Sequence, residues 1–187
     1  MGFKRGALAV LVVAIASNAP HLQAQESEKA ALAQFDAAIA SYMSLRQSLV
    51  AEKISGPIPN STSTELNRAA DALAAAIQRG RAKARPGDVF GPAATLVFKR
   101  RIEAAMRDAN LGPVLSNIDD EGPPTATPVV HLRFPAAAAL ATMPPALLEV
   151  LPPLPKPLEY RIIGRYLVLR DAEAALIIDF IPAAVPR

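Results

Sequence analysis

Apolar and polar positions change rhythm several times along this chain, and each rhythm predicts a different element. Ala7 to Ala16 form an unbroken apolar run behind Lys4 and Arg5, followed by a polar stretch ending HLQAQ. Charge, apolar run and small residue in that order describe a secretory signal peptide. The run is shorter than the roughly 20 apolar residues that span a bilayer, so a cleaved leader over 1–24 is expected rather than an anchor. Ala24 is the expected cut, because Pro20 follows Ala19 and Ala16 leaves almost no polar segment. No Cys stands near it, so no lipid anchor is expected.

Behind the leader, Leu32, Phe35, Ile39, Tyr42 with Met43, and Leu49 with Val50 recur at a three-four spacing. That spacing places one apolar stripe along a helix over 28–53, and Gly56, Pro57 and Pro59 stop it. Thr62 with Glu65 fits a capping box, and Leu66, Ala70, Leu73 and Ile77 renew the stripe, predicting a second helix to about Lys83. The segment RPGDVFGP then brackets Asp88, Val89 and Phe90 between Pro86, Gly87, Gly91 and Pro92, which predicts a turn with a buried foot. Pro92 suits the first turn of a third helix, whose apolar face is Phe98, Ile102, Met106 and Ala109. Antiparallel packing of the three helices is expected.

Beyond Asn110 the rhythm shortens, and 13 of the 18 prolines lie there, which argues against further long helices. GPVLSNIDDEGPPTATP reads as a loop, VVHLRF as a strand, Met143 to Leu151 as a short helix opened by paired prolines, and PPLPKP as an extended connector. LEYRIIGRYLVLRD reads as a hairpin. With Gly164 and Arg165 as its two-residue turn, Tyr160 faces Leu169, Ile162 faces Leu167, and Glu159 faces Arg170. Tyr160, Ile162, Leu167 and Leu169 then share the core face. ALIIDFI reads as a further, central strand, with Asp171 as an alternative cap for a short helix. Its alternation sends Leu176, Ile178 and Phe180 one way and Ile177, Asp179 and Ile181 the other. The fold class is therefore α+β: N-terminal antiparallel helices (28–109) packed on a small, mainly antiparallel C-terminal sheet (110–187), in one domain over 25–187.

Composition narrows the chemistry. Removing the leader takes Lys4 and Arg5 with it, so 18 basic side chains stand against 17 acidic ones, and nucleic acid is not an expected partner. With no Cys there are no disulfides, thiolate nucleophiles or Cys-ligated metals. Trp is absent too, so stacking falls to the three Tyr and six Phe of the whole chain, one of which, Phe3, lies in the leader.

GDVFGP in mid-chain together with LPPLPKPLEYRIIGRYLVLRD near the end resembles a group of small exported bacterial proteins without established activity. The resemblance spans most of the chain after the leader and is most specific in its C-terminal stretch. It implies a bacterial envelope protein, periplasmic or extracellular, and it brings no catalytic residues to carry over.

Four residues are candidates for catalysis. Asp179 sits in an apolar strand, where a carboxylate needs a partner; beside Arg161 or His131 it would be an acid or base, and otherwise a structural ion pair. His131 is the one imidazole left after the leader, with no HExxH-type spacing to make it a metal ligand. Asp88 is displayed by a turn, although Asp in such turns usually bonds its own backbone. Glu159 pairs with Glu173 as a conceivable carboxylate couple. Asp119, Asp120 and Glu121 cluster in a loop without EF-hand spacing. No GxSxG, SxxK or glycine-rich phosphate loop occurs after the leader, so neither a cofactor nor a metal is expected.

The basic residues form two sets: Arg79, Arg81, Lys83 and Arg85 close the second helix, and Lys99, Arg100 and Arg101 open the third. Cations at a helix C-terminus complement the macrodipole without any ligand, which accounts for the first set and not the second. If both converge on the turn, Arg79, Lys83, Lys99 and Arg100 make an anion-binding knob. The leading expectation is a non-enzymatic exported domain that binds an envelope protein or an anionic envelope component. The alternative is a small hydrolase of cell-wall or extracellular polymer using Asp88, Asp179 or Glu159.

Overall fold

A computed structural model describes residues 19–53, 62–109, 127–133 and 143–186. The leader prediction falls largely outside them, and residues 19–24 continue the first helix. That helix, α1 (Ala19–Lys53), starts well before the predicted residue 28. From His21 to Ala30 it is exposed except at Glu28, and the stripe buries only from Ala31 onward, through Phe35, Ile39 and Tyr42. The apolar spacing marks the part that packs; the helix itself runs further, through residues of good helix propensity such as Gln23 to Lys29.

Helix α2 (Ser63–Gly80) opens with the expected capping box: the Glu65 amide donates to the Thr62 hydroxyl, and the Glu65 carboxylate accepts from the Thr62 amide. It ends at Gly80 rather than Lys83, because Arg81 leaves helical geometry. Helix α3 (Gly91–Asp108) carries Pro92 in its first turn and runs antiparallel to α1, with Glu28 beside Arg101 and Phe35 beside Phe90 and Phe98. Phe35 stacks on Phe90 at 5.5 Å between ring centroids, and Phe98 meets both edge-on before touching Tyr160 of the sheet at 6.1 Å. A short α4 (Pro145–Val150) seats Leu147 in the same core, and its neighbouring connector ends in a cis Lys156–Pro157 bond.

Strands β1 (Leu158–Ile163), β2 (Tyr166–Asp171) and β3 (Leu176–Ile181) form one antiparallel sheet in the order β1-β2-β3. The fold is α+β, helices first and sheet last. Gly164 at φ 53° makes the hairpin turn, and the register pairs Glu159 with Arg170, Tyr160 with Leu169 and Ile162 with Leu167. Positive φ at the first central residue matches the right-handed twist of the flanking strands, which is why glycine at 164 fixes this register. Tyr160, Ile162, Leu167 and Leu169 are all buried against the helices.

Three expectations for the sheet are corrected. The central strand is β2, not β3. A bulge breaks the pairing between Leu169 and Arg170, whose partners are Asp179 and Ile177, so Ile178 is the extra residue. Asp179 therefore shares the core face with Leu176 and Ile181, while Ile177 turns the other way with Phe180. VVHLRF is not a strand over its described part: Val130 and His131 form a turn, His131 at φ 70°, and only Arg133 bridges to Leu176. The His131 and Ile177 amides donate to the Ile177 and Leu132 carbonyls, so this short run closes the outer edge of β3. At the other end, the Ala184 amide donates to the Arg165 carbonyl and the Arg165 Nε to the Val185 carbonyl, docking the tail on the hairpin turn.

Phe98 joins α1, α3 and the sheet in one aromatic cluster, so Phe98→Ala is expected to cost about 3–5 kcal/mol. Thr62→Ala, which removes only a surface cap, should cost about 1 kcal/mol. Urea unfolding of both variants measures the ratio, and a Phe98→Ala loss no larger than that of Thr62→Ala would refute this account of the core.

Candidate functional site: a cationic groove beside a carboxylate-held turn

Between α2 and α3 the chain must reverse within RPGDVFGP while burying Val89 and Phe90. Gly87 takes φ 90°, which L side chains avoid, and the Gly91 amide closes the turn on the Gly87 carbonyl at 2.8 Å. Asp88 accepts from the Arg85 amide at 2.7 Å and points outward, the backbone role expected of Asp in such a turn. The remaining amides converge on one side chain. Asp179 Oδ1 accepts from Gly87 at 2.7 Å and from its neighbour Phe180 at 2.8 Å, while Oδ2 accepts from Val89 at 2.8 Å and Phe90 at 2.9 Å.

Asp179 is 0% exposed. A carboxylate has about four lone-pair sites, and four amide donors fill them. No site is left to take a proton from a substrate, so the partner this carboxylate requires is a backbone turn and neither Arg161 nor His131. The sequence signal was the apolar strand around Asp179; the identity of its partner lay about ninety residues away and had no local trace.

A second buried carboxylate fastens α1 to the sheet. Asp171 Oδ2 accepts from the Tyr42 hydroxyl and from Arg46 Nε, each at 2.8 Å, and Oδ1 from the Ala174 amide at 2.9 Å. Arg46 also pairs with Glu173. Burial, then the Asp171 charge, pushes the Tyr42 phenol far up, so it stays a donor. Burial pulls the Arg46 guanidinium down, but Asp171 and Glu173 outweigh it and the net shift is upward. Sequence reading put Tyr42 in the apolar stripe and passed over Arg46. Their spacing of four, two polar tips on one helix face, was the available signal.

Where α1 passes the end of α2 there is an open groove of about 720 Å³, lined by Ala38, Ser41, Tyr42 and Leu45 on one side and residues 79–84 with Asp88 and Val89 on the other. Arg81, at the C-cap of α2, enters this groove half-buried. One N–H of its guanidinium donates to the Ile178 carbonyl at 3.2 Å, and the group lies over the Tyr42 ring at 5.4 Å from the centroid. Burial lowers its pKa, with Tyr42, Asp179 and Asp88 opposing that shift. Among the described residues no carboxylate forms a salt bridge with it. Arg79 and Lys83 stand exposed on the rim.

The second basic set is elsewhere. Arg101 and Arg100 reach Glu28 at 2.7 and 3.4 Å, Arg101 also donates to the Val150 carbonyl, and Lys99 is half-buried. Glu28 and Ser41 are separated by roughly 20 Å along α1 at 1.5 Å per residue. The predicted knob is thus divided: Arg79 and Lys83 line the groove beside Ser41, whereas Arg100 reaches α1 at Glu28. Glu159 is held between Arg161 and Arg170, each at 2.6 Å, on the sheet face opposite Asp179. Glu173 is engaged by Arg46.

His131 sits within reach of the Arg81 charge. Burial, then the Arg81 charge, lowers its pKa, and its Nε2 is shielded without a hydrogen-bond partner among the described residues. Gln78 donates to its carbonyl at 3.0 Å. The predicted acidic loop of Asp119, Asp120 and Glu121 lies outside the described residues. Comparison with protein-family models, curated proteins and solved structures finds no match to this chain.

Asp179→Asn replaces two acceptor oxygens with one and turns an NH2 group toward amide donors, so it should destabilise the protein by about 3 kcal/mol or more in urea. Asp88→Asn, at an exposed turn, should cost less than about 1 kcal/mol. Equal losses would mean that the Asp179 contacts do not hold the turn.

Because the His131 pKa is lower in the folded chain than in the unfolded one, the unfolded state binds more protons as pH falls through the ordinary histidine range. Stability from this group is complete above that range and is lost on acidification. His131→Asn, which tolerates positive φ, should flatten the decline in urea midpoint between about pH 7 and 5; an unchanged slope would exclude His131 as its source.

Proposed function

We propose that this protein is an exported, non-enzymatic binding domain whose groove between α1 and the α2–α3 turn receives an anionic component of the bacterial envelope. One observation carries the reading: Arg81 is held half-buried in the groove by Tyr42 and the Ile178 carbonyl, with most of its five N–H donors uncommitted among the described residues. A guanidinium placed there without a salt-bridge partner is an arrangement that an incoming anion would complete. The macrodipole accounts for a cation such as Arg79 in the last turn of α2, but it does not require Arg81 to turn into a cavity.

Binding is favoured over hydrolysis because the described candidate carboxylates are already committed. Asp179 is saturated by amides, Glu159 by two arginines, and Asp88 is bonded to its own turn. General acid–base work needs such a group free and within reach of a substrate proton. Among the described residues no helix is long and apolar enough to cross a membrane.

The test is co-sedimentation of the purified chain with lipopolysaccharide, teichoic acid and the carboxylate polymer alginate. Reversing Arg79 and Lys83 to Glu should weaken capture roughly tenfold or more. Reversing Lys99 and Arg100, which lie on α3 outside the groove lining, should leave it within about twofold. Capture that ignores the first pair, or that depends on the second alone, would reject the groove as the binding site.

A further inference from the structure

Charge counting in the groove narrows the ligand. Arg79, Arg81 and Lys83 bring three positive charges to its lining and Asp88 one negative, an excess of two. A single carboxylate would leave half of that excess unmatched, whereas a phosphate monoester carries about −1.5 to −2 at neutral pH and three acceptor oxygens. The donors are of the right kind: a planar guanidinium fixed by Tyr42 offers paired N–H groups, and the Lys83 ammonium supplies a mobile point charge on the rim. At about 720 Å³ the groove falls in the range of small-molecule sites and exceeds what a bare phosphate fills. Ala38, Leu45 and Val89 line the remainder with apolar surface.

Resting on the binding reading above, we infer that the groove takes a phosphate monoester in its dianionic form, with Arg81 as the central contact, Arg79 and Lys83 as flanking cations, and the organic body of the ligand along α1. The same headgroup chemistry occurs on a soluble phosphate ester and on a lipid such as phosphatidic acid, and both present it to the same three cations. The charged and titratable groups facing Arg81 are Tyr42, Asp88, Asp179 and His131. Of these, His131 would gain positive charge on acidification, which strengthens anion binding. A phosphate monoester loses a charge as pH falls through about 6. The two effects have opposite signs, so weaker binding at low pH reports on the ligand.

The test is a titration of the 15N-labelled full chain with sn-glycerol 3-phosphate, with succinate as the carboxylate control, at pH 7.5 and 5.0. Expected are saturating amide shifts at Ser41 and Arg81 to Ala84, several-fold weaker affinity at pH 5.0, and little response to succinate. Arg79→Gln and Lys83→Gln, both on exposed side chains that leave the core intact, should each weaken the affinity several-fold. Vesicles of phosphatidylcholine with and without phosphatidic acid distinguish the sources: binding that requires phosphatidic acid and is competed only poorly by glycerol phosphate assigns the lipid, and ready competition assigns the soluble ester. Equal shifts with succinate, or affinity that rises at pH 5.0, would overturn the phosphate assignment while leaving an anion-binding groove. Shifts with neither probe, together with vesicle binding indifferent to phosphatidic acid, would overturn both.

Discussion

One buried carboxylate sets the geometry on which the helical layer and the sheet agree. Taking Asp179 out of water is costly, and the cost is offset only because four amides meet it at 2.7–2.9 Å. Three of those amides belong to a turn that would otherwise bury N–H groups without acceptors, so strand and turn each supply what the other lacks. The bulge at Ile178 allows this without disturbing the core face, since it keeps Leu176 and Ile181 on the same side as Asp179. The RPGDVFGP turn is thereby pinned to β3, and with it the end of α2.

The groove inherits its shape from that pinning. Arg81 follows directly from the C-terminus of α2, and its guanidinium reaches the Ile178 carbonyl, one residue before Asp179. Tyr42 closes the other side: its hydroxyl is committed to Asp171 at the far end of β2, and its ring supports Arg81. Two acidic residues of the sheet therefore position one arginine indirectly, Asp179 through the turn and Asp171 through Tyr42. Neither carboxylate forms a salt bridge with Arg81, so positioning does not cancel the charge.

Much of the fold was legible because it is local. The capping box at Thr62, Pro92 at the start of α3, the short helix after Pro144 and the hairpin register around Gly164 all follow from residues within a few positions of one another. What escaped is non-local or depends on one irregular residue. The bulge at Ile178 shifted the alternation in β3, and the positive φ at His131 turned a strand-like run into an edge contact. The site was legible in part: the turn, Asp179 and the cationic end of α2 were all marked by composition. That Asp179 serves the turn, that Arg46 and Asp171 tie α1 down, and that Arg100 belongs to Glu28 are pairings across 72 to 125 residues, invisible to any local pattern.

Those long separations bear on the order in which the molecule assembles. Tyr42 and Asp171 are 129 residues apart, and Val89 and Asp179 are 90 apart. Contacts between such distant positions carry a large loop-closure entropy and tend to slow folding. Until β3 is present the turn amides lack their acceptor, and until β2 is present Tyr42 lacks Asp171, so neither the turn nor α1 is fastened to the sheet by its carboxylate. Completion of the native state is thus a late event, gated by the last quarter of the chain: a nascent chain lacking its final strand would still offer Asp171 to α1 but would leave the amides of the RPGDVFGP turn without their acceptor.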